Sequence, residues 1–445
     1  MSVIELEPTL QESIPGFDEA TFSRQTVSGE SPVLRAKREA ALQAYLTLPT
    51  PTPYTEEWRK TSPDLFPFAS LKVRPQVQSA PVESHPWDEH FDVVVAVKDQ
   101  AMTIEDRSGL LADGTIKVMT LHDAAEQCAD LLEEHLQGSA LPADTDKFTA
   151  LNGAFWNVGL FVHIPAGYSL EKGILFRVEQ TADASVFVPR VVVVAEARSD
   201  ASLVEWYTSP DALAMASINA KEVYLGEGSR FRYLTLQEWG DAAFQIENNM
   251  AVVQRDAQVD WITLNLGTRI SKLQLGSDVA GPGSSAELDG VFFARGDQHI
   301  DQTTLQIHSS PDTYSRLLYK GAVKDQGHSV YRGIIQAKPG AIKVDAYQTN
   351  NNLVLSDGAI ADTIPGLLID ADDLKCSHGA TIGNLQEEQV FYLRARGIPD
   401  HDARKMLILG FYDEILDRIA YSFIRDKVHA VLEERLDAPN MGDAV

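Results

Sequence analysis

Short segments of similar composition recur along the middle of the chain, and they constrain the fold more than any other feature of the sequence. Each begins with a turn of small or acidic residues and continues as a strand whose alternate residues are apolar. Four of them start at Asp200, Glu227, Asp256 and Gly283, which lie 27, 29 and 27 positions apart. A unit of this size cannot bury its own apolar face, so consecutive units must stack on one another. The pattern predicts a β-solenoid, in which each coil is hydrogen-bonded to the next.

The predicted β core extends from residue 157 to residue 383. Further versions of the repeat begin at Gly327 and Gly340, and helical periodicity is absent throughout this region. Because the spacing varies, an ordinary β-sandwich remains an alternative on the pattern alone. The run of asparagines from Asn350 to Asn352 is consistent with stacked turn residues of a solenoid and equally with a polar loop.

Helical patterns flank the β core on both sides. We divide the chain into a mixed N-terminal region (1–156), the β core (157–383) and a C-terminal helical domain (384–445). In the first region, Ser31 and Pro32 are typical of a helix start, and that helix should end before Pro49. The apolar spacing between Leu121 and Leu136 predicts one amphipathic helix that buries Cys128.

The charge balance limits the partners of the chain. Among its 445 residues, 64 are Asp or Glu and 38 are Lys or Arg, which gives a net charge of −26. Nucleic acids and anionic membranes require positive contact surfaces, so neither is expected as a partner. The acidic N-terminus does not resemble a signal peptide, and no apolar run is long enough to span a bilayer. We therefore expect a cytoplasmic protein.

Several catalytic motifs are absent from the sequence. It contains no phosphate-binding loop of the form G-x-x-x-x-G-K-[ST], so we expect no NTPase activity of its own. It also lacks a dinucleotide-binding glycine motif, a Cys-x-x-Cys pair and a nucleophile elbow. Its two cysteines, Cys128 and Cys376, cannot supply the usual four thiolates of an iron–sulfur cluster.

The segment from Lys375 to Thr381, KCSHGAT, is the strongest candidate for chemistry. It lies between the β core and the first C-terminal helix. In an extended segment, Cys376 and His378 share one face, and both side chains are ligands for iron, copper or zinc. A buried thiol beside a hydrogen-bonded histidine is the alternative. Two ligands leave a metal incompletely coordinated, so a metal site here would need a second chain.

Longer stretches resemble a known family. The segment from Asp345 to Ile398, the preceding segment from Asp312 to Ile335, and EEWRKT around Trp58 are similar to the SufB/SufD family of iron–sulfur cluster assembly proteins. Within that family the chain resembles the SufD type. The SufB-type scaffold carries a cluster-holding cysteine in the coil that corresponds to residues 358–363, and this chain has none there.

The resemblance implies a right-handed parallel β-helix between helical regions and a complex of one SufB, one SufD and two SufC ATPase subunits. SufB would pair through the β-helix core, and SufC would bind the C-terminal helices. A transient iron–sulfur cluster would form at the SufB–SufD interface, with no cofactor firmly bound by this chain alone. The position that matches the assisting SufD histidine is His378, and Cys376 is a possible helper. The resemblance thus implies an assembly subunit rather than an enzyme.

The C-terminal helices also offer a docking surface on physical grounds. The aromatic side chains of Phe391, Tyr392, Phe411 and Tyr412 are of the kind that anchors interfaces. Alternatively, these aromatics pack the helices onto the β core. Phe411 is favoured for that role because it belongs to a series of apolar residues spaced three or four positions apart.

Two other functions remain open on the sequence alone. The chain could be a SufB-like scaffold that acts as a homodimer, or it could self-associate when isolated. It could also be a β-helix enzyme acting on polysaccharides, although such enzymes are usually exported.

Overall fold

The β core is a solenoid of about eight turns. The structure is a computed structural model, and it describes residues 14–25, 30–73, 82–112 and 114–438. Successive strands of the core alternate between two sheets. In spatial order the first sheet contains β4 (Lys117–Thr120), β5 (Val158–Ile164), β8 (Pro189–Ala195), β10 (Met215–Leu225), β12 (Phe244–Val253), β14 (Ile270–Val279), β16 (His299–His308), β18 (His328–Ala337) and β20 (Ile360–Ile369). Two short strands, β1 (Lys72–Val73) and β7 (Ser185–Phe187), join its side.

The second sheet faces the first across a narrow lumen. In spatial order it contains β3 (Ala101–Asp106), β2 (Val93–Lys98), β6 (Ile174–Glu179), β9 (Asp200–Thr208), β11 (Arg230–Glu238), β13 (Gln258–Asn265), β15 (Ser285–Ala294), β17 (Tyr314–Val323), β19 (Asp345–Val354) and β21 (Lys375–Gly383). Strands within the solenoid pair in parallel, whereas β3 and β4 pair antiparallel at its first turns.

The sequence repeat corresponds to one full turn of this solenoid. Asp200 pairs with Arg230, Arg230 with Gln258, and Gln258 with Ser285. The predicted solenoid is therefore confirmed, and the antiparallel pairing of a sandwich is absent between these strands. The run from Asn350 to Asn352 lies inside β19, not in a turn or loop.

Alternate residues of each strand point into the lumen, which is filled with side chains. Apolar and aromatic groups dominate, and the rings of Tyr233 and Trp261 stack with centroids 4.2 Å apart. One ionic group lies among them: the Lys221 ammonium is 2.5 Å from the Glu205 carboxylate and 2.5 Å from the Glu247 carboxylate. All three side chains are almost completely buried.

N-terminal helices cover the outer face of the first sheet. They are α1 (Glu19–Gln25), α2 (Pro32–Thr47), α3 (Leu121–Gln127), α4 (Ala129–His135) and α5 (Lys147–Phe155). The predicted helix after Ser31 is confirmed as α2. The single helix predicted from Leu121 to Leu136 is wrong, because the backbone of Cys128 leaves the helical region and separates α3 from α4. Cys128 is half-buried against the apolar layer beneath these helices.

The C-terminal helices α7 (Asp400–Leu416) and α8 (Ser422–Asp437) cover the outer face of the second sheet, and α6 (Glu387–Ala395) packs against α7. Tyr412 is fully buried there and donates a hydrogen bond to the Phe292 carbonyl oxygen at 2.8 Å. Phe411 is only partly buried. The prediction that Phe411 is the core residue among these aromatics is therefore wrong. Tyr412 takes that position because its phenol can donate to a backbone oxygen beneath the helix.

The helices of the described residues include none with both the length and the apolar character needed to cross a membrane.

Candidate functional site at the open end of the solenoid

The solenoid ends in a coil that the described part of the chain leaves uncovered. β20 and β21 are the outermost strands of their sheets, so one edge of each has backbone groups without a neighbouring strand in the described residues. Such an edge is a template for pairing with another strand. Large apolar side chains on and beside this coil are exposed: Tyr347, Ile360, Leu367, Leu368, Ile369 and Ile382. An uncovered coil with apolar side chains has the character of an interface.

Cys376 and His378 lie on β21 and face the lumen side of this last coil. Parallel pairing sets Cys376 beside Ala346 and His378 beside Gln348. Ala346 and Gln348 are buried in the lumen, at 2% and 1% exposure, so their neighbours on β21 face the same way. The expectation that the two candidate ligands share one face is met.

The two side chains differ in exposure because no coil follows β21. His378 is exposed at the open end, whereas Cys376 is half-buried. Cys376 contacts a small apolar cluster that includes Ile335, Val344 and Ala346. Burial in this cluster, together with the nearby Asp345 carboxylate, raises the pKa of the Cys376 thiol. At neutral pH the thiol is therefore protonated, and the imidazole is the ligand that is available to solvent.

These two residues do not complete a metal site by themselves. Side chains two positions apart on a strand are about 6.6 Å apart along it, and both point the same way. Within the described ranges, no group of three or more His, Cys, Asp or Glu side chains is arranged to hold a metal ion. The arrangement can supply one or two ligands to a metal whose remaining ligands come from outside this chain.

The coil at residues 358–363 lies on the opposite sheet at the same end. Ala361 and Thr363 pair with Ser329 and Tyr331, which are buried in the lumen, so they occupy the inward positions of β20. Asp362 faces outward and contacts Lys60 and His328. The inward positions of this coil thus carry no thiol.

Sequence reasoning missed the side chains that surround Asp362. His299, His328 and Thr61 are hydrogen-bonded near it, although they are distant in sequence. The spacing of about one solenoid turn between His299 and His328 was the available signal, because residues one turn apart become neighbours.

The C-terminal helices present a second exposed apolar surface. Phe391 and Tyr392 on α6 are 71% and 58% exposed, and Met406 on α7 is 52% exposed. Of the four aromatic residues considered from the sequence, Phe391 and Tyr392 are therefore free to contact a partner, whereas Tyr412 is not.

Two family models match the chain. Residues 176–411 match the model described as "SUF system FeS cluster assembly, SufBD core domain", and residues 20–175 match the SufBD protein N-terminal region. The core match covers more than half of the 445 residues. The chain belongs to the SufBD family.

Relatives of both types are found within the SufBD family. The SufD protein of Bacillus subtilis is 27% identical over 91% of this chain and 94% of its own length. The SufB protein of the same organism is 26% identical over 65% of this chain and 62% of its own length. A SufBD family protein of Mycobacterium leprae is 33% identical over 48% of this chain. That alignment spans 57% of the mycobacterial protein, so this chain spans little more than half the length of that relative.

Membership of the SufBD family relates the chain to iron–sulfur cluster assembly, the process named in the description of the matching core model. It gives no support to the alternative of a polysaccharide-active enzyme.

Proposed function

We propose that this SufBD protein is a SufD-type subunit, which pairs with a SufB-type partner and contributes His378 to a cluster-assembly site shared by the two chains. The observation that carries the proposal is the position of His378: it is exposed on the lumen side of an uncovered terminal coil. The alignment with Bacillus subtilis SufD extends over nearly the full length of both chains, which supports the SufD type. The lack of cysteine in residues 358–363 supports it as well.

The partner would bind at the open end of the solenoid. The free edges of β20 and β21 would pair with strands of the SufB-type chain, and the exposed apolar side chains would be buried between them. His378 would then lie inside the interface, where it supplies one ligand to iron delivered as substrate. Cys376, held protonated by its raised pKa, would take part only after losing its proton to a base or metal.

An ATPase of the SufC type would bind the C-terminal helices. Phe391 and Tyr392 are the exposed anchors for it, and the sequence itself contains no phosphate-binding loop. The subunit would act as a scaffold and not as an enzyme, and ATP hydrolysis would take place on the partner.

The test of this proposal is replacement of the imidazole. The variant His378→Ala should lower iron–sulfur cluster maturation at least tenfold in cells that lack the native chain, while the complex with the partners still co-purifies. Ser377→Ala is the matched control, because Ser377 is exposed on the same strand but faces away from the lumen. Normal maturation with His378→Ala would exclude the proposed role.

A SufB-like scaffold that forms a homodimer is the alternative, since the SufB of Bacillus subtilis is 26% identical to this chain. Anaerobic reconstitution of the isolated chain with iron and sulfide distinguishes the two functions. A stable cluster spectrum from the chain alone would favour the scaffold, and an unstable or absent one would favour the shared site.

A further inference from the structure

Gln348 is the buried neighbour of His378 on the adjacent strand. Parallel pairing sets the two residues side by side on β19 and β21, where both face the lumen. Adjacent strands lie about 4.8 Å apart, so an amide and an imidazole at neighbouring positions of one face are within hydrogen-bonding reach. Gln348 is 1% exposed, whereas His378 is exposed. The amide is therefore shielded from bulk water, and the imidazole is not.

The orientation of the Gln348 amide is fixed from the other side of the lumen. Its Nε2 donates to the backbone oxygen of Gly333 on β18 at 3.2 Å. The reverse orientation would set two oxygens against each other, so the amide nitrogen must face Gly333. A Cβ at residue 333 would collide with Gln348 Oε1, and the glycine leaves that space free. The amide oxygen is thus held in one place.

The oxygen of this amide lacks a donor. Gln348 Oε1 is buried and has no hydrogen-bond partner among the described residues. The Tyr331 hydroxyl lies near the same glycine, but it pairs with Thr304 at 2.9 Å. A buried acceptor without a donor destabilises the folded chain, so this oxygen calls for a donor. The imidazole of His378, which makes no hydrogen bond within the described ranges, can supply one.

We propose that Gln348 is a positioning residue for His378: its amide oxygen accepts a hydrogen bond from Nδ1 of the imidazole and leaves the lone pair of Nε2 facing the open end. Nδ1 is bonded to the ring carbon that carries Cβ, so it lies nearest the neighbouring strand, whereas Nε2 is at the far tip of the ring. A metal-binding histidine commonly donates its second N–H to a fixed acceptor. This inference rests on the proposed role of His378 as an iron ligand, and Gln348 itself does not touch the metal.

The position of the ring proton matters because only a nitrogen with a lone pair binds a metal. In a free neutral histidine the proton prefers Nε2, which would block the exposed tip of the ring. The hydrogen bond made by one ring nitrogen decides which of the two carries the proton. An acceptor beside Nδ1 therefore reverses the ordinary preference, and it also restricts rotation of the ring.

Ring ¹⁵N spectra of the full chain test this assignment. At pH 8.5, above the range in which histidines ordinarily titrate, the signals of His378 should show Nδ1 protonated and Nε2 free. The variant His378→Ala identifies those signals by their loss. In Gln348→Met, which has a side chain of similar length but no amide oxygen, the proton should move to Nε2. Gln348→Glu retains an acceptor oxygen and should keep the proton on Nδ1.

The matched control is Gln302→Met. Gln302 on β16 is also a lumen amide at 1% exposure without a partner among the described residues, but its strand lies two turns before the last one. This variant should leave the His378 proton on Nδ1. A proton on Nε2 in the native chain, or an unchanged Nδ1 proton in Gln348→Met, would overturn the inference. If Gln348→Met fails to fold, the native spectrum decides alone.

Cluster maturation in cells that lack the native chain gives a second measurement. Gln348→Met should lower maturation about tenfold, as expected for loss of the acceptor behind a ligating histidine, and should add nothing to the effect of His378→Ala. Impaired maturation with His378→Ala but full maturation with Gln348→Met would overturn only the positioning role. Full maturation with both would exclude the proposed function as well.

Discussion

Cys376 and His378 are separated by one residue and share a face, yet their surroundings give them different chemistry. Nothing covers the imidazole at the open end, whereas the thiol contacts the last apolar cluster of the lumen. The raised pKa of Cys376 makes the thiol a poor ligand at neutral pH unless a partner or metal removes its proton. Under the proposed function, the exposed histidine, and not the cysteine, would therefore be the first contact for an incoming metal.

The first prediction concerns the reactivity of this thiol. In the variant Cys128→Ser, Cys376 is the single thiol, and iodoacetamide should modify it several-fold more slowly in the folded chain than in the urea-unfolded chain at pH 7.5, roughly in line with its lower thiolate fraction. The midpoint of the rate against pH should lie above the ordinary thiol value of 9.0. Mass spectrometry of the modified protein measures both. A folded-state midpoint at or below the unfolded one would contradict the assigned burial effect.

At the scale of elements, the sequence predicted the strands of one sheet better than those of the other. Strands of the second sheet, such as β13, alternate buried and partly exposed residues along their first half, and they produced the visible repeat. β10 in the first sheet is buried at all eleven positions, because helices cover its outer face, so alternation is lost. The candidate site followed from the residue types of Cys376 and His378, from their spacing in an extended segment and from the family resemblance. The cluster of His299, His328 and Asp362 did not, since it requires the register of strands about one turn apart.

The second prediction belongs to the strands that enclose Lys221. Replacing this lysine by methionine leaves the carboxylates of Glu205 and Glu247 buried without their cation, which should lower the free energy of unfolding by about 3–5 kcal/mol. Burial already raises the pKa of Glu205 even with the lysine present. Without the lysine, burying Glu205 costs less when its carboxyl is protonated, so the loss of stability should be smaller at pH 5 than at pH 8.

Urea unfolding at the two pH values measures this loss. Lys98→Met is the matched control, because Lys98 pairs with Glu179 on the surface, where both side chains are more than 40% exposed. That variant should change stability by less than about 1 kcal/mol. A similarly small effect of Lys221→Met would show that water reaches the lumen at this level.

The whole molecule is asymmetric along its axis. Helices and antiparallel strands cover the first turns, whereas the last turn ends in two free edges among the described residues. Exposed edges with apolar side chains favour self-association. The net charge of −26 opposes it, because like-charged copies repel one another at long range.

The third prediction tests the open end as the partner surface. Leu368→Lys places a charge on the exposed face of β20, where Leu368 is 53% exposed. Co-purification with the SufB-type partner should fall at least tenfold, while the free energy of unfolding changes by less than about 0.5 kcal/mol, as for surface substitutions. Leu65→Lys is the control, since Leu65 is 45% exposed but lies outside the coil. Full co-purification with Leu368→Lys would place the partner elsewhere.

The parallel stacking of the turns also bears on how chains of this kind can change length. Each turn contacts mainly the turns before and after it. An insertion of one complete repeat would therefore lengthen the rod by one layer of about 4.8 Å and leave both ends unchanged. Adding a single residue within a strand would instead move each later side chain of that strand to the opposite face of the sheet. Homologous solenoids that fold should therefore differ in length by whole layers, or by residues inserted in the bends between strands.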